Sequence, residues 1–284
     1  MNKFELFHIY AETPVHAGSG SDIGIVDLPI QRERHTDYPV IWSSSLKGSI
    51  RDYSRKNNVK DQNFLFGPED VSKPEDAEAG HLAFSDAKIL VFPVRSVKVP
   101  FVWITCPMVI SKYNQAVSMA NAKAVLPFNS DFKMDALVSS ESCVENGEVF
   151  VEEFSLKSTK DDYVKLFAEY LAKNAIPQDQ VYDYLRYHIQ NALVLVKDDL
   201  FTFFVKNLTE VNPRIRIDPK TGVVENGALW YEEDLPEDTV MYFTVSYEEN
   251  DKCKNFIDNF DGKRFSVGGN KTIGKGIFTA RRLK

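Results

Sequence analysis

Met1-Asn-Lys-Phe-Glu-Leu-Phe-His-Ile-Tyr-Ala-Glu12 changes side at every residue. Phe4, Leu6, His8 and Tyr10 fall on one face, and Phe7, Ile9 and Ala11 on the other. A period of two predicts a β-strand over residues 3–13, and two apolar faces predict that it is covered on both sides and central in its sheet. Working outward, Ser43-Ser44-Ser45 caps a helix marked by Leu46, Ile50 and Tyr53. Gly80 to Phe92 and Val94 to Thr105 read as strands. Residues 160–195 carry two helical patterns, the first through Val164, Phe167, Tyr170 and Leu171, the second through Val181, Tyr184, Leu185, His188 and Ile189. Phe201 to Leu208 reads as a strand. Val211–Ile217 and Gly222–Tyr231 flank the turn Asp218-Pro-Lys-Thr-Gly222 and predict a hairpin. Thr239 to Tyr247 is a further strand, followed by a short helix near 252–260 and a final strand, glycine loop and strand. Strands first and last with helices between predict an α+β fold on a ferredoxin-like sheet, with residues 107–236 as insertions.

The chain has 284 residues, 43% of them hydrophobic and 26% charged, which is ample for a packed core. Cys106, Cys143 and Cys253 are few and scattered, which excludes a disulfide framework and a CxxC zinc site. The N-terminus lacks the apolar h-region of a signal peptide, and no apolar run approaches the roughly 20 residues of a membrane span. A cytoplasmic protein is expected, and the sequons at Asn207 and Asn270 then carry no meaning. The net charge of −7 hides an asymmetry. Lys252 to Lys284 holds nine Lys or Arg against Asp258 and Asp261, and Leu28 to Lys60 holds seven against Glu33, Asp37 and Asp52. The acidic excess lies in Glu69–Glu78, Glu232–Asp238 and Glu248–Asp251. Two basic tracts with acidic flanks are compatible with an anionic polymer, because steering follows the local field.

Four segments carry candidate chemistry. Gly268-Gly269-Asn270-Lys271-Thr-Ile-Gly274-Lys275-Gly276 contains GxxxxGK, but Gly276 stands where a Walker loop needs a hydroxyl, and too few residues follow for its helix. It is no ATPase loop, yet its glycines and two lysines can offer amides and cations to phosphate. His16-Ala-Gly-Ser-Gly-Ser-Asp-Ile-Gly24 has Ile23 where a dinucleotide fingerprint needs glycine, so it reads as a flexible loop with a histidine and, at Asp22 and Asp27, two aspartates. Ser44, Ser45, Lys47 and Arg51 gather at a helix N-terminus, a place that suits phosphate. Arg214 and Arg216 sit in the hairpin near Trp230 and Tyr231, a combination that suits stacking on bases, with Glu232-Glu-Asp234 at its exit.

Taken together, His16-Ala-Gly-Ser-Gly20, Gly24-Ile-Val-Asp-Leu-Pro-Ile-Gln-Arg-Glu-Arg-His35 and Pro39-Val-Ile-Trp-Ser-Ser-Ser-Leu-Lys-Gly48 resemble the repeat-associated (RAMP) superfamily. The resemblance continues in order through Leu65-Phe-Gly67, His81-Leu-Ala-Phe-Ser-Asp-Ala87, Phe92-Pro-Val-Arg-Ser96, Gly227-Ala-Leu-Trp-Tyr-Glu-Glu233 and the glycine loop. Within the superfamily it points to the multi-copy backbone subunits of type III-B CRISPR (Cmr) effectors. It implies an RRM/ferredoxin-like palm (1–106 and 237–284), an inserted helical domain (107–200) and a β-hairpin thumb region (201–236). It also implies guide RNA, complementary target RNA, further copies stacked head to tail and other Cmr subunits as partners. The activity it implies is cleavage of target RNA at regular intervals by metal-dependent attack of the 2′-hydroxyl.

Asp27 matches the family's essential aspartate and would hold Mg²⁺ or Mn²⁺ or act as a base. His16 is an acid–base candidate, because its charge changes near neutral pH. Glu232 is the third catalytic candidate. Lys47 and the glycine loop would hold the guide. Two alternatives keep the same fold: an architectural RNA-binding subunit without cleavage, and a guide-processing endonuclease with a metal-independent histidine site.

Overall fold

The computed structural model describes residues 2–68, 78–122 and 132–284. Nearly all of the acidic tract from Glu69 to Glu78 lies outside the described residues. In chain order, β1 (Asn2–Ala11), β2 (Val40–Ile41), α1 (Ser43–Lys56), α2 (Gln62–Phe66), β3 (Ala83–Phe84), β4 (Ala87–Arg95) and β5 (Phe101–Thr105) come first. Next are α3 (Pro107–Met119), β6 (Ala136–Val138), β7 (Glu148–Val151), β8 (Phe154–Lys160), α4 (Asp162–Asn174), α5 (Asp183–Ala192), β9 (Leu193–Val196) and α6 (Asp198–Asn207). The last elements are β10 (Glu210–Ile217), β11 (Val224–Asp234), β12 (Val240–Glu248), α7 (Asp251–Phe260), β13 (Arg264–Ser266) and β14 (Ile277–Arg282).

Among the described residues, twelve strands form one mixed sheet along β13-β14-β1-β12-β4-β5-β9-β6-β8-β7, with β2 on β4 and β3 on β12. β1 lies between β14 and β12 and is antiparallel to both. Leu6 to Ala11 are buried without a break, as two apolar faces demand. On one face Phe7 stacks on Phe243, with centroids 5.5 Å apart, and meets Phe260 of α7, which touches Tyr53 of α1. On the other face the His8 Nε2 lies 2.7 Å from the Tyr113 hydroxyl of α3, and Tyr242 packs on the same ring. Helices therefore cover both sides of this part of the sheet.

Two expectations need correction. Phe201 to Leu208 is not a strand: residues 198–207 form α6, which buries Phe201, Phe204 and Val205 at helical spacing. A short apolar run fits either period, and the acidic pair Asp198 and Asp199 in the first turn favours the helix through its dipole. The stretch 107–200 is not wholly helical either. It contributes β6, β7, β8 and β9, and β9 runs parallel to β5 and so extends the main sheet.

β10 and β11 form a separate two-stranded hairpin. Val211, Ile215, Leu229 and Tyr231 are exposed on it, whereas Glu232, Glu233 and Asp234 at the foot of β11 are buried.

Candidate functional site

The segment 16–36 is not a free loop. Gly18 and Ile30 form an antiparallel bridge, the Ser19 amide donates to the Pro29 carbonyl, and the Gln31 amide donates to Ala17. It folds on itself and leaves a short tip on which Ile23 and Ile25 are fully exposed. Its two ends are sewn to the hairpin foot. Val15 and Leu235 exchange amide bonds, Leu28 donates to the Tyr231 carbonyl, and the Glu233 amide donates to Leu28. The Glu233 side chain completes the seam. It accepts from the Ile30 amide at 2.9 Å, from Arg32 at 2.5 Å and from the Thr209 hydroxyl at 2.7 Å.

This seam brings the three catalytic candidates together from distant parts of the chain. The Asp27 Oδ2 accepts from the Tyr231 amide at 2.7 Å, one residue before Glu232. The His16 Nδ1 lies 2.7 Å from the Glu233 carbonyl oxygen, so Nδ1–H donates there and Nε2 makes no hydrogen bond among the described residues. The Glu232 carboxylate is buried; its Oε1 accepts from Asn270 and, at 3.1 Å, from the Lys275 ammonium. Burial pushes the Glu232 carboxyl up. Donation from Asn270 and Lys275, with the charges of His16 and Lys275, more than offsets this and leaves it below the usual carboxylate range.

Asp234 was absent from the sequence-derived site, and the structure sets it beside Glu232, on the same lysine. A period of two puts Glu232 and Asp234 on one face of β11 and Glu233 on the other, a signal that Glu232-Glu-Asp234 already carried. Asp234 is fully buried and pairs with the Lys275 ammonium, while Asn212 donates to it at 3.1 Å. His16, Glu232 and Asp234 bring potential ligand atoms within 4.8 Å of one another. They do not fit a metal ion as they stand, because Lys275 already bridges the two carboxylates. Asp27 fits better: among the described residues it makes no ion pair, and a single carboxylate suits a hydrated Mg²⁺ or Mn²⁺.

The expected RNA contacts divide. Ser43 to Ser45 lie inside α1 rather than capping it; the N-cap is Trp42, and the Asp86 carboxylate accepts the Ser43 amide at 2.7 Å. Ser44 is exposed, whereas Ser45 accepts from Gln31 at 3.2 Å. Arg51 donates to the Gly67 carbonyl. Lys47 makes no ion pair among the described residues, and burial, reinforced by the charge of Arg51, draws its ammonium below the ordinary value. Arg214 lies 3.9 Å from Glu232, and Arg216 pairs with Glu225 across the hairpin. The glycine loop is not an open cradle of amides. Gly269 donates to the His16 carbonyl and Gly276 to Pro14, while Gly274 and Lys275 donate within the loop to Lys271 and Asn270. Gly268 instead provides a close approach to the His16 backbone. Lys271 is more exposed than Lys275 and lies 3.6 Å from Asp52. A cavity of about 570 Å³ between α1 and α7, lined by Tyr53, Phe256 and Phe260, contains none of the catalytic candidates.

Residues 8–279 match the model of the RAMP superfamily. The chain belongs to the RAMP superfamily. It is 39% identical to the CRISPR system Cmr endoribonuclease Cmr4 of Pyrococcus furiosus, over 97% of this chain and 94% of that protein. Among solved structures, oligomeric Cmr4 from Pyrococcus furiosus superposes with a TM-score of 0.78 at 29% identity, covering 99% of this chain and 98% of that one. A chain of a type III-B Cmr-beta complex bound to cognate target RNA superposes with a TM-score of 0.75 at 23% identity, covering 98% and 96%, and shares the fold. Among the described residues of this RAMP chain, no helix is long and apolar enough to cross a membrane.

Proposed function

We propose that the chain is a guide-RNA-binding backbone subunit of a Cmr-type effector and an endoribonuclease that cuts the target RNA paired with the guide. One observation carries the reading: His16 and Asp27 of one segment meet Glu232, more than 200 residues later, at the foot of an exposed hairpin. The order β14-β1-β12-β4, with α1 and α7 as connections, supports a ferredoxin-like palm formed by residues 1–106 and 237–284. Residues 107–200 are then the insertion and 201–236 the thumb region. The exposed Val211, Ile215, Leu229 and Tyr231 suit a thumb that wedges between stacked bases. Copies stacked head to tail would place one such thumb at each interval along the guide.

RNA brings its own nucleophile, so the protein mainly has to hold the backbone in line. The 2′-oxygen bonds to phosphorus as the bond to the 5′-oxygen breaks, giving a 2′,3′-cyclic phosphate and a 5′-hydroxyl. His16 Nε2 is the nitrogen that can take the 2′-hydroxyl proton or return one to the leaving oxygen. Glu232, held ionised, acts through its charge or as a base rather than as an acid. Asp27 would hold the Mg²⁺ or Mn²⁺, and the ion would supply charge neutralisation at the scissile phosphate. Lys47, Lys271 and Arg216 would contact the RNA backbone.

The test is a complex reconstituted with guide RNA and offered complementary RNA, with and without EDTA. Cleavage at regular intervals, abolished by EDTA and leaving 2′,3′-cyclic phosphate ends, is the expected result. 3′-Hydroxyl ends would overturn the choice of nucleophile. EDTA-resistant cleavage of the guide precursor would point to the processing enzyme instead, and no cleavage at all to an architectural subunit.

A further inference from the structure

Lys275 sits in the glycine loop, where a lysine invites a reading as a phosphate contact. Its surroundings say otherwise. The side chain is only 13% exposed, against 38% for Lys271 four residues earlier. Its ammonium contacts Glu232 and Asp234, both at the foot of β11 and both buried. Among the described residues Asp234 Oδ1 has no hydrogen-bond partner, and Lys275 and Asn212 are what balance that carboxylate. A phosphate that drew Lys275 away would leave the buried Asp234 carboxylate with Asn212 alone and Glu232 with Asn270 and a longer contact to Arg214, a costly exchange.

The same loop also fixes His16 and Glu232 by other bonds. Gly269 donates to the His16 carbonyl and Asn270 to the Glu232 carboxylate. The loop thus grips two of the three catalytic candidates, His16 and Glu232, and Lys275 is the charged member of that grip.

We propose that Lys275 is a positioning residue: an internal cation that locks the glycine loop to the hairpin foot and sets Glu232 beside His16, and not a contact for RNA phosphate. Its ammonium bridges the carboxylates of Glu232 and Asp234, two of the three groups that with His16 could hold an ion. The effect on cleavage rests on the function proposed above; the lock itself does not.

Three measurements test it with the full chain. Amide hydrogen exchange on the RNA-free protein should show Gly269 and Gly276 exchanging faster in Lys275→Met than in the unchanged protein, and equal exchange would overturn the lock. Guide binding against salt should keep its slope in Lys275→Met, whereas Lys271→Ala should lose about 0.7 to 0.9 of a unit, the loss of one phosphate contact. A comparable loss in Lys275→Met would make Lys275 a phosphate ligand and sink the proposal. In the reconstituted complex, Lys275→Met should lower kcat roughly tenfold or more with KM for target RNA unchanged, because pairing with the guide sets target affinity. Glu232→Gln/Lys275→Met should be no slower than the slower single variant if Lys275 acts through Glu232, whereas multiplied losses would mean that it acts independently. The double variant also removes one stranded charge, so it serves if Lys275→Met does not fold. If the unchanged protein proves inactive, the function fails, while amide exchange still judges Lys275.

Discussion

Gly268→Ala isolates the close approach between the glycine loop and His16. Gly268 has a φ of +82°, and a Cβ there would lie 2.2 Å from the His16 carbonyl oxygen and 2.8 Å from its carbon. Ordinary contact begins near 3.4 Å, and both atoms are backbone, so the loop or residue 16 must move by about 1 Å. The left-handed conformation costs an L-residue about 1–2 kcal/mol. Relief of the overlap adds about 1–3 kcal/mol, and loss of the Gly269 bond to His16 about 1 kcal/mol. The expected destabilisation is about 3–6 kcal/mol. Gly274 is the internal control: its φ is +83°, and nothing lies within 4 Å of an added Cβ. Gly274→Ala should therefore cost only the conformational part, about 1–2 kcal/mol. Urea unfolding of the RNA-free chain measures both, and target cleavage should fall further in Gly268→Ala because His16 shifts. Equal losses of stability in the two variants would refute the close-approach argument.

Asp27→Ala should leave guide and target affinity nearly unchanged and lower cleavage by about two to four orders of magnitude, with Asp27→Asn almost as slow; full cleavage by either removes Asp27 from the chemistry. Burial, reinforced by the charge of Arg281, draws His8 down to about 3, so the unfolded chain binds a proton that the folded chain refuses. This contribution to stability is complete above pH 6.5 and is lost as the pH falls from 6.5 toward 3; at pH 5 the loss is about 2 kcal/mol, and a His8→Gln variant should lack that slope in pH-dependent unfolding. The proposed head-to-tail stacking would be an open, heterologous contact, so the protein with long guide RNA should form particles whose mass by light scattering grows with RNA length; a strict monomer would contradict it.

Local pattern was enough wherever a segment's own period decides its state. β1 is central and buried on both faces because its alternation leaves no polar side to give to water. α7 and the β10–β11 hairpin were legible for the same reason, the one from helical spacing and the other from a turn sequence between alternating runs. The motifs in order along the chain also named Asp27, His16 and Glu232. Period alone could not settle α6, because a short apolar run is compatible with both states until packing chooses one. Sequence spacing could not say which lysine of the glycine loop faces solvent. Lys275 turns inward because Glu232 and Asp234, more than forty residues earlier, are buried and need a cation. The segment around Asp27 looked mobile for a similar reason, since its partners are backbone groups of β11, about 200 residues away. Ion pairs and hydrogen bonds of that separation exist only once the fold has closed the loops between them, so only the tertiary structure decided which charged groups remain for RNA and which the protein uses to hold itself together.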